Sequence, residues 1–248
     1  MNNSNFLKNN NIDKLLLIDN YSGNPPTDRI ERTKIIVGGC KAEVVLNTIH
    51  FSQFRSDMAE NYMGIILSGS ESNVSSFYYD EQLYKKFVPQ LELIRNTEEI
   101  PILAICFGLH LVAYAFGAQV GRMGLKGLGG RIIFILIDRT DELLGYKNIP
   151  VNAHHLDFVS PNDCNIQKKF QILSTSRTAG YKMVQYMKHI DKPIFSLQFH
   201  PEVHNRIQFL PKPIDGRIAN KTRVIGQEII ENFISICLNK KGNPEKRL

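Results

Sequence analysis

Pro101-Ile102-Leu103-Ala104-Ile105-Cys106-Phe107-Gly108-Leu109-His110 is the stretch that decides the fold. Residues 102–105 form an apolar run with no polar alternation, which reads as a strand buried on both faces. The strand delivers a cysteine to a turn flanked by small residues, Ala104 before it and Gly108 after it. Helical spacing follows at once, over about 108–116, and stops at Gly117. Small neighbours let the backbone turn sharply and present the residue at the tip, the geometry of a nucleophile elbow. A thiol at a helix N-terminus also feels the positive end of the dipole, which favours the thiolate. The same stretch fits a buried core cysteine, because cysteine packs like a small hydrophobe.

Working outward, residues 14–18 read as another buried strand, closed by Asp19-Asn20-Tyr21-Ser22-Gly23. Residues 28–37 have helical spacing and end at Gly38-Gly39, and 42–46 and 63–67 read as strands, the latter stopped by Ser68-Gly69-Ser70. Leu83, Phe87, Leu91 and Ile94 share one helix face, with Pro89 marking a kink or a late start. The second half is richer in strands, at 132–137, 170–173, 183–186 and 194–199. An amphipathic helix over 226–238 closes the chain, burying Ile229, Ile230, Phe233 and Ile236. Strands alternating with helices predict a single α/β domain with a mostly parallel central sheet and helices on both faces. Its limits are read as 13–240, between an Asn-rich tail (1–12) expected to be disordered and a basic tail (241–248).

Length and composition agree with one large domain: 248 residues, 43% hydrophobic and 22% charged, enough to bury a core. No apolar run approaches the roughly 18 residues of a membrane span. The first residues lack the apolar stretch of a signal peptide, so a cytoplasmic protein is expected. The four cysteines form no C-x-x-C pair, which excludes a zinc ribbon and argues against a disulfide framework. The net charge of +6 is concentrated in the tail and in 204–223, where Arg206, Lys212, Arg217 and Lys221 are interleaved with Pro211, Pro213 and Gly216. That reads as a solvated loop, with a docking surface as the alternative. Phe77-Tyr78-Tyr79 has no flanking basic cluster, so no nucleic-acid platform is expected. His154-His155 lacks further ligands at metal spacing, so neither metal nor cofactor is expected.

The second deciding segment is Ile194-Phe195-Ser196-Leu197-Gln198-Phe199-His200-Pro201-Glu202-Val203. Alternate residues of an extended chain point to one side, and Pro201 biases His200 toward extended geometry. Glu202 can therefore hold the imidazole while His200 faces the thiol across the carboxyl edge of the sheet. Cys106, His200 and Glu202 supply a nucleophile, a proton shuttle and an orienting carboxylate.

Together these residues resemble the class I glutamine amidotransferases, with their elbow cysteine and C-terminal His-Pro-Glu, and the likeness runs from Leu15 to about Leu238. It implies a flavodoxin-like class I glutamine amidotransferase fold. Gly64 to Ser70 resembles the family's oxyanion strand. Ala153-His154-His155-Leu156-Asp157-Phe158-Val159 and the closing helix are most similar to the stand-alone glutaminase subunit of GMP synthases. The resemblance implies glutamine hydrolysis by Cys106, His200 and Glu202 through a γ-glutamyl thioester. Backbone N–H groups near Ser70 and of Phe107 would form the oxyanion hole, Gly69, Gly108 and His110 would contact substrate, and His155 and Asp157 would face a partner. His110 stands where the family usually has glutamine, and Ser70 and Glu71 replace its usual Gly and Pro. With no G-x-x-x-x-G-K-[ST] motif in the chain, ammonia would pass to a separate synthetase of the ATP-pyrophosphatase type. The alternatives are a free-standing γ-glutamyl amide hydrolase and a non-catalytic binding protein on the same fold.

Overall fold

The computed structural model describes residues 13–23, 28–124, 128–203 and 215–242. The strands are β1 (Asp13–Asp19), β2 (Val44–His50), β3 (Gly64–Leu67), β4 (Ile102–Ile105), β5 (Val120–Arg122), β6 (Leu128–Leu136), β7 (Asn148–His155), β8 (Asp157–Val159), β9 (Phe170–Thr178), β10 (Tyr181–His189) and β11 (Ile194–Leu197). The α-helices are α1 (Asp28–Gly38), α2 (Glu81–Asn96), α3 (Phe107–Ala115), α4 (Cys164–Lys169) and α5 (Gly216–Gly242). Seven strands make the central sheet in the order β2-β1-β3-β4-β11-β10-β9. The pairs from β2 to β11 are parallel, and β10 and β9 add an antiparallel edge. Two small ribbons, β5-β8 and β6-β7, lie outside that sheet.

The continuous apolar strands are explained by two cores. Leu16, Ile18, Ile65, Leu67, Ile102 and Ala104 pack with Phe87, Leu91 and Ile94 of α2 and Leu109 of α3. Their neighbours Leu15, Leu17, Ile66, Leu103 and Ile105 pack on the other face with Ile30 of α1 and Ile229, Ile230 and Phe233 of α5. Each strand thus buries both sets of alternate side chains, as a parallel sheet with helices on both faces requires. Among the described residues, no helix is long and apolar enough to cross a membrane.

Three sequence readings are corrected. The edge strand β2 begins at Val44, later than the expected Ala42, and is only partly buried. Pro89 lies inside α2, whose start is set upstream by Asp80: its carboxylate accepts from Leu83 N at 2.9 Å. Helix α5 starts at Gly216 rather than Gly226, so the last part of the expected 204–223 loop is helical, while 204–214 lies outside the described residues. The tails at 1–12 and 243–248 also lie outside them.

Gly226 is no boundary but a contact. A Cβ there would sit 2.1 Å from the Pro201 carbonyl oxygen and 3.0 Å from its carbon. The helix backbone is therefore pressed onto the turn that carries His200 and Glu202. Gly226→Ala should force these backbones apart, costing about 2 kcal/mol and roughly 5 °C of melting temperature. Thermal unfolding checks this, and an unchanged midpoint would show that the contact is not tight.

Candidate active site

Cys106 has φ 53° and ψ −99°, a left-handed backbone that a non-glycine residue adopts only under constraint. The constraint is visible on both sides. Cys106 N donates to Leu197 O at 2.6 Å, tying the elbow to the end of β11. At Gly108 a Cβ would meet Leu67 O at 2.9 Å and Leu67 Cβ at 3.0 Å, so no side chain fits where α3 crosses β3. Phe107 opens α3, where first-turn N–H groups have no intrahelical acceptor.

The second segment arrives from β11. His200 N donates to Asn152 O at 2.9 Å, and Asn152 Nδ2 donates to Val203 O at 2.9 Å, so β7 clamps the turn. The imidazole Nδ1 lies 2.7 Å from Glu202 Oε1, with both side chains almost fully buried. Burial and the Arg29 charge press the His200 pKa down, but Glu202, Cys106 and a hydrogen bond with the thiol outweigh them and raise it to about 9. Burial works against the Glu202 carboxylate, yet His200 and the hydrogen bond to it hold its pKa below the usual carboxylate range. The Cys106 thiol, 5% exposed, also reaches His154 O at 3.6 Å and accepts from Gln198 Nε2 at 3.8 Å.

The turn at 68–71, expected to carry the oxyanion donors, is laced to the end of β1. Asn20 N donates to Ser68 Oγ at 2.8 Å, Ser70 Oγ donates to Asn20 O at 2.7 Å, and Ser22 N donates to Glu71 Oε1 at 2.6 Å. Among the described residues, positive φ occurs at Cys106, Ala179, Gly117 and Gly180. Ser70 is not one of them, so a serine is accommodated without backbone strain. Gly69 is needed for space: a Cβ would lie 2.6 Å from Tyr21 Oη and 2.9 Å from His200 Cε1.

Two expectations are changed by burial. His155 and Asp157 are 6% and 2% exposed and turn inward. Asp157 accepts from Ser75 N at 2.8 Å and Ser75 Oγ at 2.7 Å, and His155 Nδ1 contacts Asp157 O at 2.8 Å. They are buried braces behind the site, not surface groups. His110 is 3% exposed, and its Nε2 lies 2.8 Å from Gln198 Oε1, so the imidazole is engaged with Gln198 behind the thiol.

Gln198, Tyr21 and Arg29 belong to the site without any motif that marks them in the sequence. Gln198 was within reach, since it lies two residues before His200 on the same side of an extended chain. Arg29 and Tyr21 come from the distant β1–α1 connection, and no local spacing signals them. Arg29 Nη1 lies 2.9 Å from His200 Nε2 and 3.3 Å from Nδ1, and 3.1 Å from Tyr21 Oη. An in-plane donor can reach only one ring nitrogen, so Nη1 sits over the imidazole face.

Residues 16–209 match the family model for glutamine amidotransferase class-I. The chain is 28% identical over 233 residues to a glutamine-hydrolyzing GMP synthase subunit of Methanocaldococcus jannaschii, covering 90% of this chain and 97% of that one. It is 30% identical over 226 residues to the corresponding GMP synthase subunit of Pyrococcus furiosus, with 90% and 98% covered. In three dimensions it resembles the crystal structure of a glutamine amidotransferase from Thermotoga maritima, with TM-score 0.65, 19% identity, and 91% and 98% covered.

The His200 pKa depends on Glu202, with a definite sign. Raised to about 9 from 6.5, it contributes stability that is complete below 6.5 and is lost as pH climbs through 9. Glu202→Gln removes the first of the raising influences and leaves burial and Arg29 opposed by Cys106 alone. The His200 titration, followed by NMR of the imidazole, should then move from about 9 toward or below 6.5, and the alkaline loss of stability should shrink. A titration that stays near 9 would show that Glu202 is not what holds the proton.

Proposed function

Because this chain belongs to the glutamine amidotransferase class-I family, we propose that it hydrolyses the side-chain amide of glutamine through Cys106, His200 and Glu202 and supplies ammonia to a separate synthetase. The observation that carries the reading is the cysteine held at positive φ on the elbow beside an imidazole fixed by Glu202. In this reading Cys106 Sγ attacks the carboxamide carbon, and N–H groups of Phe107 and Ser70 receive the developing oxyanion. His200 then protonates the departing nitrogen, and the C–N bond breaks to leave a γ-glutamyl thioester and ammonia. A water deprotonated by His200 attacks the thioester, releasing glutamate and returning the proton to the thiol. Glu202 keeps Nδ1 occupied, so that Nε2 is the nitrogen that exchanges protons. Gly69 and Gly108, expected to contact substrate, instead admit the close approach of Tyr21, His200 and Leu67 around the site, and His110 acts through Gln198.

The relatives named for GMP synthesis make the synthetase of that reaction, an ATP-pyrophosphatase-type subunit, the proposed partner. Control of the oxyanion donors is the proposed route of coupling. The turn at 68–71 and the loop at 20–22 are tied by hydrogen bonds, with Ser22 and Glu71 exposed. A partner pressing on this loop would turn the Ser70 peptide without moving the triad. One misdirected oxyanion donor costs roughly a hundred- to a thousand-fold in rate.

Ammonia release by the purified chain should therefore be slow, rise at least tenfold with the cognate synthetase and its nucleotide substrate, and vanish in Cys106→Ser. Rapid release from glutamine by the lone chain would remove the coupling. Rapid release from other γ-glutamyl amides, with glutamine ignored, would replace the glutaminase reading by the free-standing hydrolase.

A further inference from the structure

Arg29 is a half-buried cation beside the reacting groups, and the triad chemistry does not use it. Its Nη1 contacts His200 and Tyr21, and its Nη2 lies 2.8 Å from His154 Nδ1. None of these partners offers a negative charge. Burial pushes the Tyr21 phenol up and keeps it neutral. Burial, with Arg29 and His200 nearby, pushes His154 down to about 4. Glu202 acts on Arg29 through space but is already engaged by His200. Burial opposes the Arg29 charge, yet Tyr21, Glu202 and Cys106 hold its pKa above the ordinary value, so the cation persists. A half-buried guanidinium whose direct hydrogen-bond contacts carry no negative charge is poised for an anion, and its planar fork matches a carboxylate.

We propose that Arg29 recognises the α-carboxylate of the substrate and thereby restricts the pocket to γ-carboxamides of α-amino acids. This rests on the assignment of Cys106 as nucleophile. With the carboxamide carbon at Sγ, the α-carboxylate of glutamine lies at the far end of a three-carbon chain. The guanidinium contacts the imidazole of His200, the group that the nucleophile assignment pairs with Cys106, so both ends of glutamine would meet groups gathered around that ring. Asparagine is one methylene short, and a simple amide offers no anion. Engagement would also draw the guanidinium toward the substrate and off the face of His200, so an occupied pocket differs from an empty one at the proton shuttle.

The test uses the full chain with Arg29→Gln and Arg29→Lys, reading Cys106 alkylation site by site by peptide mass spectrometry, which separates it from the exposed Cys164. Iodoacetate carries a carboxylate and iodoacetamide does not. The iodoacetate-to-iodoacetamide rate ratio at Cys106 should fall at least fivefold in R29Q and at least twofold in R29K, which keeps the charge but not the fork. With the synthetase present, KM for glutamine should rise at least tenfold in R29Q. Preference for glutamine over 4-aminobutanamide, which lacks the α-carboxylate, should fall by a similar factor. A role confined to holding His200 in place would slow both reagents and both amides alike. Unchanged ratios and preference, with Cys106 still alkylated by iodoacetamide, would overturn the assignment of Arg29 alone; should R29Q not fold, R29K decides on the same ratio. A wild-type Cys106 that resists both reagents would overturn the nucleophile assignment and this inference with it.

Discussion

The positive φ at Cys106 is the constraint on which the site depends. It turns the chain from β4 into α3 within one residue, and it is held by the Cys106 N to Leu197 O bond and the closeness of Gly108 to Leu67. Such a backbone costs on the order of 1–3 kcal/mol, which the two-sided core of β3, β4 and β11 must offset. Because β11 lies next to β4 in the sheet, the bond that supports the elbow also sets where the His200 turn leaves it. Helix α5, through Gly226, presses that turn from the other face. Cys106 and His200 are thus registered to each other by backbone and sheet packing, leaving only the final orientation to side chains.

Electrostatics around His200 are a balance of opposed influences. Burial and Arg29 disfavour the imidazolium, while Glu202 and Cys106 favour it. A proton shuttle must gain and lose its proton in one cycle, so a group held by opposed forces suits the task better than one held by a single strong partner. The oxyanion turn is treated in the same way. Serine hydroxyls and the Glu71 carboxylate tie it to the loop after β1, which carries Tyr21 and leads to Arg29. Residues after β1 and in the first turn of α1 therefore touch both the 68–71 turn and His200.

Much of this was legible in the sequence where a local rule operates. The apolar runs of β1, β3 and β4 announced burial on both faces, the small residues around Cys106 announced the elbow, and the period of two joined His200 to Glu202. The rule failed where a residue serves a distant contact. Gly226 looked like a helix start because glycine is a poor helix former, but it sits inside α5 to admit the Pro201 carbonyl. By resemblance His155 and Asp157 would face a partner, yet both are buried, with Asp157 accepting from Ser75 and His155 Nδ1 contacting Asp157 O. Strand β7, with Pro150 and two histidines in it, carries no clean alternation, and Arg29 is brought to the site by tertiary structure alone.

If the elbow makes Cys106 the nucleophile for a glutamine-like carbonyl, a glutamine-like electrophile should be captured there alone. The most direct measurement is mass-spectrometric mapping of the adduct formed with 6-diazo-5-oxo-norleucine, the diazo-ketone analogue of glutamine. The account predicts one covalent adduct, on Cys106, with Cys40, Cys164 and Cys237 unmodified. Modification of Cys164 or Cys40 while Cys106 stays free would contradict it.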